Sequence, residues 1–243
     1  MTIVETEFQL APPLYSPYQE EGKNYLYNML FCDDLDLWRK GDPSPPGSAI
    51  DILLSENPSN AELEKIAGNP QEESRYRQLA YNLLRANNAA VPKKILQGVI
   101  VETPCKNGLD TLAAFGDGGV RYFNQSGKLV MIDRRPPRNI DEARAKELAR
   151  LKDKAQEMVR VSQNLVDRTG SWDQSRLPPP KGEVTRITCL VSDGLYFAQG
   201  HFDSLANDPL THPILLAAQQ LLIFVVDAVL GPAPPGQAAS QNK

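Results

Sequence analysis

Apolar residues change their spacing twice along the chain, and each change marks a new kind of element. After a proline-broken start containing Pro12, Pro13 and Pro17, read as an extended arm over residues 1–22, helical spacing begins. Tyr25, Leu26, Met29 and Leu30 recur at steps of three and four, one face of a helix. The run Gly41-Asp42-Pro43-Ser44-Pro45-Pro46-Gly47 interrupts it. Ser59 and Glu62 then stand at capping-box spacing, which opens a short helix through Ile66. Asn69-Pro70 has the form of an N-cap followed by a first-turn proline, predicting a helix to about Asn88 with Leu79, Leu83 and Leu84 inward. Residues 23–90 thus form a helical segment.

From Pro92 the period shortens to two. Ile95 to Val101 carries the β-branched run Val99-Ile100-Val101, suited to a central strand. Leu109 to Phe115 and Val120 to Phe123 flank Asp117-Gly118, the signature of a two-residue hairpin, and Leu129 to Ile132 supplies a fourth strand after Asn124-Gln125-Ser126-Gly127. Beyond Arg134-Arg135-Pro136-Pro137-Arg138 a long helix is expected from about Asp141 to Arg168. Its stripe is Leu148, Leu151, Ala155, Met158, Ser162 and Leu165, and Gly170 is its expected C-cap. Val184 to Val191 and Leu195 to Gln199 form a second hairpin about Asp193-Gly194. In the final apolar helix Leu215, Ala218, Leu222, Val225 and Val229 make one face, and Leu216, Ile223 and Phe224 extend it around the circumference. Such a helix needs cover from the sheet on one side and from the N-terminal helices or another subunit on the other. Residues 91–232 therefore read as an α+β sheet domain, and 233–243, rich in Pro, Ala, Gly and Gln, as a disordered tail.

Several of these segments share a resemblance. Gly108-Leu109-Asp110-Thr111-Leu112-Ala113, Arg121 to Lys128, the Trp172-Asp173 to Pro180 loop and Val191 to Phe197 resemble an uncharacterised bacterial protein family of unknown function, over roughly residues 23–230. The resemblance implies a bacterial origin and a shared fold, and nothing about chemistry.

Composition narrows the classes. Of 243 residues, 41% are apolar and 23% charged, ordinary for a globular chain and against disorder throughout. A net charge of -4 with no basic stripe argues against nucleic-acid binding. Cys32, Cys105 and Cys189 are far apart, form no CxxC pair and give no disulfide framework, so a reducing cytoplasm fits best. Met1 to Glu5 lacks the features of a signal peptide. Residues 214–230 are short for a bilayer and carry Gln219, Gln220 and Asp227, so no membrane association is expected.

Candidate chemistry is sparse. Ser126-Gly127-Lys128 lacks the upstream glycine of a phosphate-binding loop and precedes a strand, and Gly116-Asp117-Gly118-Gly119 joins two strands. Ser192 and Ser204 lie in turns outside any nucleophile elbow. His201, Asp203, Asp208 and His212 are the catalytic candidates. Their spacing matches no metal signature, Asp203 and Asp208 equally suit helix N-caps, and neither a metal nor a cofactor is expected. Asp33, Asp34 and Asp36 read as a solvated helix end rather than a calcium loop, and Arg134, Arg135 and Arg138 as a solvated linker. The loop from Trp172 to Pro180 is the least ordinary stretch. Trp172, Asp173, Arg176 and Leu177 are expected to contact a protein partner, since Trp and Arg are the residues most enriched at interface hot spots. Core packing of Trp172 is the equal alternative.

The sequence thus predicts an α+β protein: an antiparallel sheet, made of a meander plus a second hairpin, flanked by two long helices and preceded by a helical segment. Its expected role is that of a non-catalytic binding or adaptor protein of the bacterial cytoplasm, an immunity- or defence-type protein being one version. Homo-oligomers through the 213–230 helix are one outcome of this reading. The alternative is a hydrolase using the His201–His212 group.

Overall fold

A computed structural model of the chain describes residues 13–41, 44–126, 128–134 and 140–230. The first twelve residues of the expected arm, Arg135 and Arg138, and the tail after Leu230 lie outside the described residues.

The expected architecture is present. Five helices come first: α1 (Glu21–Met29), α2 (Leu35–Arg39), α3 (Ala49–Leu54), α4 (Asn60–Gly68) and α5 (Ser74–Ala86). Four strands follow: β1 (Leu96–Cys105), β2 (Gly108–Phe115), β3 (Val120–Phe123) and β4 (Leu129–Ile132). The long α6 (Glu142–Arg168) leads to β5 (Val184–Val191) and β6 (Gly194–His201), then α7 (Phe202–Asn207) and α8 (His212–Leu230). All strand pairs are antiparallel, in the order β4-β3-β2-β1-β5-β6. The second hairpin therefore docks on the free edge of β1, which becomes a central strand as its Val-Ile-Val run requires.

Alternation along the strands builds two cores. Val99, Val101, Leu112, Ala114, Ile187 and Cys189 face α6 and α8, packing on Leu151, Met158, Leu165, Ile214 and Leu221. Ile100, Ala113, Phe115, Phe123 and Leu190 face the other way, onto Tyr27, Leu30 and Phe31 at the end of α1. A third cluster joins Leu37, Trp38, Leu53, Leu63, Ile66, Leu79 and Leu84 within the helical segment. Both long helices thus lie on the same face of the sheet, and the N-terminal segment covers the opposite face.

Local chemistry explains most element ends. Ser59 and Glu62 form the capping box of α4, and Asp141 caps α6 by accepting the Arg144 N–H. Four expectations fail locally. Asn69 closes α4 and its side chain accepts from Gln71, so α5 begins only at Ser74. Gly170 is not the C-cap: Thr169 is, in an extended conformation, and its hydroxyl donates to the Leu165 carbonyl at 2.7 Å. The β2–β3 turn is one residue longer than a two-residue loop, with Gly118 at φ +89 and its N–H bonded to the Phe115 carbonyl. In the β5–β6 hairpin the loop is Ser192-Asp193, because Gly194 already pairs with Val191.

Candidate functional site

His201 ends β6 and Asp203 stands in the first turn of α7. Together with Thr103, Pro104, Glu183, Thr185 and Phe202 they line an open cleft of about 320 Å³. His201 Nδ1 lies 3.3 Å from Glu183 Oε2, and both side chains are mostly exposed, so the pair contributes little to stability. Asp208 and His212 are employed elsewhere. Asp208 Oδ1 accepts the backbone N–H groups of Leu210 at 2.9 Å and Thr211 at 3.1 Å, organising the entry to α8. His212 Nδ1 lies 2.7 Å from the Ala206 carbonyl oxygen. The structure therefore brings His201 and Asp203 to one cleft and leaves Asp208 and His212 out of its lining. Glu183 was not foreseen as a neighbour of His201. The pairing of Val184 with His201 places it there, and that register depends on the one-residue shift of the hairpin loop. Among the described residues no group of three or more His, Cys, Asp or Glu is placed to hold a metal.

The Trp172–Pro180 loop turns its polar anchor inward. Trp172 is half-buried, meets Phe197 edge-on with ring centroids 5.1 Å apart, and donates its indole N–H to the Ser175 carbonyl at 3.0 Å. Its backbone N–H donates to Leu195 at the outer edge of β6. Arg176, expected to offer a donor to a partner, is buried. Its Nε donates to Asp33 Oδ2 at 2.8 Å, its Nη2 to Asn28 Oδ1 at 3.0 Å, and its guanidinium stacks 4.1 Å from the Phe31 ring. The arm closes over it, as Tyr15 donates its hydroxyl to the Arg176 carbonyl at 2.9 Å. Asp173 remains exposed and Leu177 half-exposed.

A second buried carboxyl lies beneath α1. Glu102 of β1 accepts the Tyr27 hydroxyl at 2.6 Å, and its Oε2 is 4.0 Å from Arg186 Nη1, close enough for attraction but not for a hydrogen bond. Burial pushes the Glu102 carboxyl up against the opposing pull of Tyr27, Arg186 and Arg176. Burial likewise raises Asp33, with Arg176 opposing it. The acidic run Asp33, Asp34, Asp36 is thereby divided: Asp33 holds Arg176, Asp34 caps α2 and Asp36 pairs with Arg39 at 2.6 Å. Arg134 donates to Gln71. Cys32 and Cys189 are buried thiols raised by desolvation, Cys189 to about 12, as expected for inert core cysteines.

Where β3 and β4 meet the N-terminal helices, a cleft of about 280 Å³ is lined by Leu26, Met29, Trp38, Arg75, Arg121 and Asp133, among others. Its cations are already paired, Arg75 with Glu73 and Arg121 with Asp133 at 2.5 Å. That neutralisation leaves little pull on an anionic ligand.

The outer side of α8 is different in kind. Ile214, Leu221 and Val225 are fully buried, and Leu222 is only half-buried, so the inner face is rotated slightly from the one expected. The side chain of Val229 lies outside the described residues. The N-terminal helices contribute no cover, since they occupy the opposite face of the sheet. As a result Leu216 is 47% and Ile223 54% exposed, two turns apart on one stripe. Between His212 and Asp227 the helix carries no charged residue. Among the described residues no helix is long and apolar enough to cross a membrane.

Comparison with protein-family models, with curated proteins and with solved structures finds no match to the chain.

Proposed function

We propose that this protein is a non-catalytic binding module that works by protein–protein association, in the bacterial cytoplasm. One observation carries the reading: the uncharged outer stripe of α8, where Leu216 and Ile223 stand about half exposed. Large apolar side chains grouped on one exposed face mark interaction surfaces. The Trp172–Leu177 loop is a secondary contact at most through Asp173, Leu177 and the exposed part of Trp172, because Arg176 is committed to Asp33 and Asn28.

Immobilised protein incubated with extract of the native host tests this. Wild type is expected to retain a defined protein set, and the double variant Leu216→Glu, Ile223→Glu to lose it with an unchanged melting temperature. Equal retention by both overturns the reading.

One observation favours hydrolysis as a second reading, the cleft holding His201, Asp203 and Glu183 together. It predicts turnover of ester or phosphoester substrates that His201→Ala abolishes. Turnover unaffected by that substitution would dismiss it.

A further inference from the structure

The exposed residues of α8 are arranged so that the helix is complementary to itself. The exposed positions between His212 and Asp227 are those two residues with Leu216, Gln219 and Ile223. At the helical repeat they share a strip roughly 80° wide, the width of one helix-packing seam. His212 and Asp227 are equidistant from the Gln219–Gln220 peptide bond, and so are Leu216 and Ile223. A two-fold axis running beside the helix at the level of that bond, perpendicular to it, sets each residue of the strip opposite a chemically suitable partner. Leu216 meets Ile223 of a second copy, His212 meets Asp227, and Gln219, on one margin of the strip, meets its own counterpart.

We propose that the occupant of this face is a second copy of the same chain, packed through α8 in antiparallel fashion about the Gln219–Gln220 bond. The proposal rests on the association reading above and names its partner. Closed two-fold dimers require that residue i contact j while j contacts i, and the spacing of this strip satisfies that condition. The ends add polarity: a basic side chain faces an acidic one at each end of the seam, whereas a parallel pair would set like against like. The middle is also provided for. Each Gln219 amide can donate to and accept from the other, while Gln220, off the strip, is held within its own protomer, its Oε1 accepting from Lys154 Nζ of α6 at 2.9 Å. Phe224 lies toward Lys154 as well, with 6.0 Å between the ammonium and the ring centroid, so the flank of the seam is held within each protomer. A single helix pair is a small interface, so a micromolar monomer–dimer equilibrium is expected rather than an obligate dimer.

Sedimentation velocity of the full chain over a concentration series into the high micromolar range is expected to show this equilibrium. Leu216→Glu with Ile223→Glu should raise the dissociation constant more than tenfold. His212→Glu alone should weaken dimerisation several-fold, and adding Asp227→Lys should restore it. Register is read by cysteines. Positions 216 and 223 lie about 10 Å apart along one helix, too far for a bond within a chain, since bridged Cα atoms lie within ~7 Å. Oxidised Leu216→Cys with Ile223→Cys should therefore give a covalent dimer, while neither single cysteine does. This readout stands even if the glutamate variant fails to fold. Wild type that stays monomeric throughout, or a Leu216→Cys single variant that crosslinks as readily as the double, overturns the proposal. If wild type is monomeric but the glutamate variant still loses its captured partners, association stands and the face belongs to a different protein.

Discussion

Arg176 shows most clearly how a single residue can be misjudged from its neighbours in sequence. Beside a tryptophan and three prolines it resembles an interface anchor, yet its bonds run to Asp33 and Asn28, more than 140 positions away. No local pattern announces a pair of that separation. Removing one member of a buried ion pair strands the other, at a cost of about 3–5 kcal/mol. Arg176→Ala is therefore expected to lower unfolding free energy by that order in urea titration, whereas exposed Asp173→Ala leaves it within ~0.5 kcal/mol. Glu102 makes a pH prediction. Its folded carboxyl holds its proton more tightly than the ordinary value of 4.5. The associated stability is complete below that value and is lost as pH rises through the higher folded one. Against Glu102→Gln, which cannot ionise, wild type should lose melting temperature progressively across that range. If wild type instead gains on the variant as pH rises, Arg186 and Arg176 outweigh burial.

At the level of elements, α8 sorts its leucines by depth. Leu221 is fully buried against α6 and the sheet, whereas Leu222 is half-buried at the margin. Leu221→Asp places an unpaired charge in the main core and should abolish folded expression, while Leu222→Asp yields folded protein with a lower melting temperature. Comparing both in soluble fractions and by circular dichroism checks the rotation of the helix. Elements whose ends depend on adjacent residues were legible in the sequence. The Ser59–Glu62 box, the start of the long helix near Asp141 and the stripe from Leu148 to Leu165 are of this kind. Ends decided by competition were not: Asn69 and Gly170 had the right chemistry, but the Asn69 side chain accepts from Gln71 while distant Asp117 accepts the Ser74 N–H of α5, and Thr169 closes α6. The candidate site was less legible still. His201 and Asp203 could be found by residue type, but Glu183 joins them through cross-strand register. The self-complementary strip on α8 needed knowledge of which side of the helix faces outward.

In the whole molecule the sheet is the shared wall between two cores. Ile100, Phe115, Phe123 and Leu190 are covered by Tyr27, Leu30 and Phe31, so the helical segment is part of the sheet's packing as well as a cluster of its own. A chain starting at residue 91 would uncover that face, and it is expected to aggregate or bind hydrophobic dyes strongly where the full chain does not. An independently stable, dye-silent 91–230 fragment would contradict this. The strand order also has a consequence for the time course of synthesis. β1 gains β2 within a few residues, but its other edge stays open until β5 emerges, and about fifty residues separate the end of β4 at Ile132 from Val184. At translation rates of 5–20 residues per second that is an interval of roughly 3–10 s. Throughout it the nascent chain presents the unpaired edge of Val99-Ile100-Val101 to whatever waits at the ribosomal exit, making this strand the point at which a chaperone would first be needed.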